Sequence, residues 1–202
     1  MTGKERLSVN KIVIRTIAAV IAALLCLPVL TGCSPMNDAE KKVSNELKTL
    51  QTSDYTGAEV MDLRDSLSDE GKENFDGFLK KLKSFDFEIT GSEEDEEKED
   101  DYTLVSVKIR TCDFGREYLA VWTEFLKADK GAKSEDMTEF YEMLFARLNS
   151  LDEKDHINYV NIVCIDPLDN GEWIANIKEN EELQDAIFGG MLSEMKTLAA
   201  EK

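Results

Sequence analysis

This 202-residue chain holds a single histidine, His156, and only four cysteines, so imidazole and thiolate chemistry have little to draw on. Basic side chains are also scarce: 24 lysines and arginines face 42 aspartates and glutamates, for a formal net charge of −18. So acidic a chain lacks the positive footprint that sequence-independent nucleic-acid binding requires. Three prolines, eleven glycines and no short period exclude collagen-like and repeat architectures. The sequence contains no nucleophile elbow, no glycine-rich phosphate cradle and no zinc-ligand spacing. Apolar mass, by contrast, is plentiful. With 42% hydrophobic residues the chain can build the core of one ordinary domain.

The N-terminus carries Lys4, Arg6, Lys11 and Arg15, and an uncharged stretch follows from Thr16 to Leu30. A basic leader, an apolar run and small residues at its end are the marks of a secretory signal. The run is shorter than the ~20 residues a membrane span needs, and Pro28 interrupts it. It closes on Leu30-Thr31-Gly32-Cys33, which resembles the lipobox of bacterial lipoproteins. There the cysteine sulfur becomes the thioether nucleophile that takes up a diacylglyceryl group, and a peptidase cuts just before it. The resemblance implies that residues 1–32 are removed, that Cys33 is the lipid attachment site, and that 33–37 is a short tether. At ~3.5 Å per residue that tether holds the domain within some 15 Å of the membrane, on its outer face. Two or more acyl chains give a stable anchor. Loss of residues 1–32 removes four basic and one acidic residue, leaving 20 against 41, or −21. Anionic headgroups should repel such a domain.

The remainder reads as one α+β domain over 38–202. Asn37 or Asp38 is placed to cap a first helix to about Gln51, with Ala39, Val43, Leu47 and Leu50 near one stripe. Thr56-Gly57-Ala58-Glu59 has capping-box spacing for a short second helix carrying Val60, Met61 and Leu63. Ser68 opens a third, whose face holds Phe75, Phe78, Leu79 and Leu82. The period then changes to two at Phe85–Ile89 and again through Val105, Val107 and Ile109, giving two strands. An acidic hairpin loop, 91–101, joins them, with eight carboxylates between Glu93 and Asp101. Asp113 caps a helix to about Asp129 with Gly131 as its stop, and Asp136 with Glu139 repeats capping-box spacing before another. Strands are expected at 157–165 and 173–177, around a turn at Asp166–Gly171. One final helix is expected from Glu181 through Leu183, Ile187, Phe188, Met191, Met195 and Leu198.

This order of elements resembles small lipoproteins of Gram-positive bacteria whose domain is NTF2-like or cystatin-like. The likeness is carried by Val107–Phe114, a strand running directly into a helix, and by Asn170-Gly171-Glu172-Trp173-Ile174 followed by Glu182–Gly190. It implies a curved, mainly antiparallel sheet of about four strands packed against helices, often around a cone-shaped cavity. It implies no fixed activity, since this architecture hosts enzymes, binding modules and structural subunits alike.

Candidate chemistry is sparse. Asp155-His156 resembles half of an acid/base pair, but adjacent strand residues point to opposite faces, so a surface histidine is the better reading. The acidic loop lacks the ligand intervals and glycine-assisted turn of a calcium site and reads as a solvated loop that opposes edge-to-edge association. Tyr118 and Trp122 lie one turn apart on a helix, and Tyr159 and Trp173 fall on the last two predicted strands. In an NTF2-like cone these four would converge on a ligand cavity; otherwise they fill the core. Cys112 and Cys164 remain open, since antiparallel neighbouring strands would set them apart while a parallel pair would bring them together. The expected protein is a non-enzymatic lipoprotein without cofactor or metal, held to the membrane by Cys33 and binding a small ligand or an envelope protein. The alternatives are a hydrolase or isomerase working in the cone and a purely structural envelope protein.

Overall fold

Helix α1 (Asp38–Thr52) begins where its N-cap satisfies the free amides. The Asn37 side chain accepts from Glu40 N–H at 2.8 Å, and the Glu40 carboxylate accepts from Asn37 N–H at 3.0 Å. Ala39, Val43 and Leu47 recur every four residues and are buried, which fixes one face to the core. The computed structural model describes residues 36–53, 57–94, 102–128, 137–168 and 170–200. Helix α2 (Ala58–Ser66) starts at Gly57 with no side-chain cap and has no buried residue. Thr56, the head of the expected capping box, lies outside the described residues. Helix α3 (Asp69–Lys83) is capped by the Ser68 hydroxyl, which accepts from Gly71 N–H at 3.1 Å, and buries Phe75, Phe78 and Leu82.

Strands β1 (Asp86–Glu94), β2 (Tyr102–Thr111), β3 (His156–Ile165) and β4 (Ile174–Ala175) form one sheet in chain order, each pair antiparallel. Alternation decides the faces. Val105 stands opposite Ile162 and Val107 opposite Val160, all buried, whereas Lys108 opposes Tyr159 on the outer face. Strand β1 continues past an irregularity at Ile89/Gly91 to Glu94, so residues 91–94 of the expected loop are strand. The rest of that loop lies outside the described residues. β4 is two residues long instead of five, and Trp173 precedes it. The Asp166 carboxylate accepts from Asn170 and Gly171 N–H and holds the connecting turn, and beyond Ala175 the chain bends away, Ile177 N–H donating to Ala175.

Between β2 and β3 lie α4 (Phe114–Lys127), capped by Asp113, and α5 (Thr138–Ser150), which has Met137 at its N-cap and no side-chain cap. Gly131 and Asp136, its expected stop and start signals, fall outside the described residues. The single terminal helix expected from sequence is two: α6 (Glu181–Ile187) and α7 (Met191–Ala200). They part at Gly189 (φ 56°) and Gly190 (φ 79°), a left-handed pair that other residues adopt at a cost. The break brings Gly189 C=O onto Gly115 N–H at 2.9 Å, docking the turn on the start of α4.

The register also settles the thiols. Cys164 stands opposite Thr103, while Cys112 follows Thr111 at the far end of β2, and both are buried and free. Burial pushes the Cys164 thiol up to about 11 and raises Cys112 as well. A folded state that favours the protonated thiol is fully supported below the ordinary value of 9.0 and loses that support as pH climbs towards 11. Stability in urea should therefore stay level to about pH 9 and then fall by on the order of 2 kcal/mol. The fall should be shallower in Cys164→Ala. Thiol reagents at pH 8 should modify neither cysteine before the domain unfolds.

Candidate functional site

Three helices supply most of the site, and small residues let two of them approach closely. Along the seam between α3 and α5, Gly77 leaves the space taken by the Asn149 side chain, whose Oδ1 lies 2.1 Å from where a Cβ would stand. The Asn149 amide donates to Asn74 Oδ1 at 3.1 Å, and Ser68 N–H donates to the Glu142 carboxylate at 2.8 Å. That bond and the Ser68 hydroxyl hold the Glu142 carboxyl below its usual range. On the other side of α5, Arg147 reaches Glu124 of α4 at 3.2 Å.

The aromatic side chains of these helices meet around Phe140. Tyr118 and Trp122 of α4 stand edge-on to it, with centroids at 6.0 and 5.4 Å and ring planes 89° apart in both cases. Tyr141 lies 5.5 Å from Phe140 and stacks on Phe145 at 6.2 Å, and Phe145 meets Phe75 of α3 at 4.7 Å. These rings do not close on one another. They leave a cavity of about 420 Å³, completed by Val60 and Leu63 of α2 and by Phe188, Met191 and Met195 at the α6–α7 break. Its size is that of small-molecule sites. Among the described residues, the lining side chains that carry polar groups are Tyr118, Tyr141, Trp122 and Glu59. Burial first, and then the neighbouring Tyr141, push the Tyr118 phenol above its usual value, so it stays protonated at neutral pH.

Helix α2 covers one side of this cavity and is held loosely. Val60 and Leu63 are only partly buried, and its principal polar tie is the Arg64 guanidinium on both oxygens of Asp76, at 2.8 Å each. The hydrogen bond of that pair lowers the Asp76 carboxyl and raises Arg64. Being solvated, the pair adds little to global stability. Asp76→Ala should leave the melting temperature nearly unchanged while hydrogen exchange of the amides across 58–66 accelerates.

The four candidates from sequence separate. Tyr118 and Trp122 line this cavity together. Tyr159 does not face it: the residue lies on the outer face of β3, 70% exposed, because the strand period puts it opposite Lys108. Trp173 does not face it either, lining a surface groove with Lys41, Lys42 and Asn45 of α1 and with Leu168. The expectation of a cone walled by the sheet is thus corrected: among the described residues no strand residue lines the cavity. His156 packs beneath Gly190 with Nε2 2.9 Å from the Asn158 amide, and Asp155 lies 3.7 Å from Arg116. Neither lines the cavity. Cys33 lies outside the described residues. Among the described residues no group of three histidine, cysteine or acidic side chains is set to hold a metal, and no helix is long and apolar enough to cross a membrane.

Sequence reading missed the cavity walls on α2, α3 and α5 by assigning those residues to core stripes. A signal existed in α5. Phe140, Tyr141, Leu144 and Phe145 spread apolar mass wider than one packing face requires, and a helix so wide must be covered on two sides or border a cavity. No family model, no curated protein and no solved structure matches this chain.

Proposed function

We propose that the protein is a lipid-anchored, extracytoplasmic binding protein whose NTF2-like or cystatin-like domain captures a small apolar molecule between its helices. The observation that carries this reading is the 420 Å³ cavity, apolar and aromatic over most of its wall, beneath a helix with no buried residue. A wholly structural domain gains nothing from such a void, because lining atoms without neighbours forfeit dispersion energy. The anchor rests on the lipobox tetrapeptide at Leu30–Cys33, and membrane attachment follows from thioether lipidation of Cys33.

Two measurements test the two halves. Protein purified without detergent and analysed by native mass spectrometry should carry a non-covalent adduct, or should take up an uncharged polarity-sensitive dye with a blue shift in emission. Absence of both defeats the ligand reading. In cells, Cys33→Ala should abolish incorporation of labelled fatty acid and shift the protein from the processed to the precursor length. Label retained in that variant defeats the anchor.

A further inference from the structure

We propose that the cavity selects a hydrophobic monocation, an ammonium group carried on an apolar body, over uncharged or anionic molecules of the same shape. The proposal rests on the reading of the cavity as a ligand site and concerns what that site accepts.

The first reason is what the wall lacks. No lysine, arginine or histidine lines the cavity among the described residues. A carboxylate or phosphate entering it would shed its water and find no positive partner, the costliest outcome for a buried ion. Fatty acids and phosphorylated ligands are therefore disfavoured by construction.

A second reason lies in what the wall is made of. Eight of its seventeen residues are aromatic. An aliphatic lining would serve an uncharged ligand as well, whereas aromatic rings present a quadrupole whose negative face attracts a cation, most strongly in indole. Trp122 and Tyr118 both stand at right angles to Phe140, so ring planes of different orientation bound the same corner. The attraction grows away from bulk water, and the corner that Trp122 and Tyr118 form backs onto the buried Phe140. Tyr118 and Tyr141 also line the cavity and carry hydroxyl oxygens able to accept from an ammonium N–H.

Charge at the mouth points the same way. Among the described residues the one acidic side chain on the wall is Glu59, exposed in the first turn of α2. It is placed to meet a cation on arrival and to repel an anion. The chain as a whole is acidic, with a formal net charge of −18, which favours the approach of cations over anions.

Isothermal titration calorimetry on the full chain provides the test, with three probes of matched shape. These are (4-phenylbutyl)trimethylammonium, the uncharged hydrocarbon in which carbon replaces the nitrogen, and 5-phenylpentanoate. The ammonium probe should bind about tenfold more tightly than its isostere, and the carboxylate most weakly. Trp122→Leu keeps the wall apolar and should cancel most of the tenfold ratio between ammonium and isostere, whatever it does to the affinity of both. Glu59→Gln, at an exposed position where folding is not at stake, should lower ammonium affinity severalfold and flatten its salt dependence. Equal affinity for ammonium and isostere, or tightest binding of the carboxylate, overturns the selectivity but leaves the cavity a ligand site. Failure of all three probes, together with failure of the dye, defeats the cavity reading itself. A cation preference that survives both substitutions also overturns the proposal, because the charge would then be met elsewhere.

Discussion

Gly189→Ala is expected to lower the stability of the domain by about 3–5 kcal/mol, much of the 5–15 kcal/mol that holds a typical domain folded. Two costs combine at this position. The backbone is left-handed at φ 56°, where a Cβ adds about 1–2 kcal/mol of local strain. The larger cost is contact, since the new Cβ would lie 2.1 Å from Cys112 O and 2.9 Å from Phe114 N. Neither is the end of a side chain that can swing aside. Cys112 O already accepts from Phe114 N–H, and Gly189 O accepts from Gly115 N–H, so both partners are fixed by the start of α4. Relief would require the α6–α7 turn to leave α4 and carry with it Phe188 and Met191, which line the cavity. Gly171→Ala is the matched control. It has φ 81° but, among the described residues beyond its chain neighbours, no atom within 4 Å of its Cβ position, so it should cost only the strain. Urea unfolding of both variants measures the difference. A Gly189→Ala midpoint no lower than that of Gly171→Ala would show that the turn is not clamped there.

That glycine pair also marks the limit of what could be read from the chain. Local rules were legible wherever side chain and backbone settle the matter between themselves. Asn37, one of the two caps expected for the first helix, Ser68 and Asp113 all cap, and the alternation of Val105, Val107 and Ile109 sets the inner face of β2 correctly. The α+β class and the four-stranded antiparallel sheet follow from those elements. Where two remote segments must agree, the pattern was silent. Residues 181–198 keep a helical apolar period across the break, since Ile187, Phe188 and Met191 suit either one helix or two. Only the left-handed turn and its docking on Cys112 and Phe114 make glycine obligatory at 189. β4 ends where Ile177 N–H turns back to Ala175, and the cavity depends on how α2–α5 and the α6–α7 break come together. Neither is a local property. Tyr159 is the plainest instance: aromatic content drew it into the candidate site, but its parity on β3 had already assigned it to the opposite face.

Leu63→Trp should raise stability and abolish binding together, a pairing that separates a ligand cavity from a packing defect. Leu63 projects from α2 onto the cavity and is half-buried, and α2 is the wall best able to yield, since no residue of it is buried and Arg64–Asp76 ties it at one point. A larger ring at 63 can therefore enter the void without forcing α3 or α5 apart, which avoids the overpacking penalty of a rigid core. It would gain contacts with rings that now border empty space. Cavity filling of this kind commonly adds 0.5–2 kcal/mol, or roughly 2–4 °C in Tm for each kcal/mol in a domain of this size. The same atoms occupy the volume a ligand needs, so dye or ammonium-probe affinity should fall at least tenfold. Destabilisation with binding intact would mean that position 63 packs tightly and the ligand sits elsewhere. A rise in Tm with binding intact would show a void without a role. The expected combination has a physical logic: a chain that could have closed this gap with one larger side chain forgoes that stability, and the gap remains as room for a molecule that must come and go.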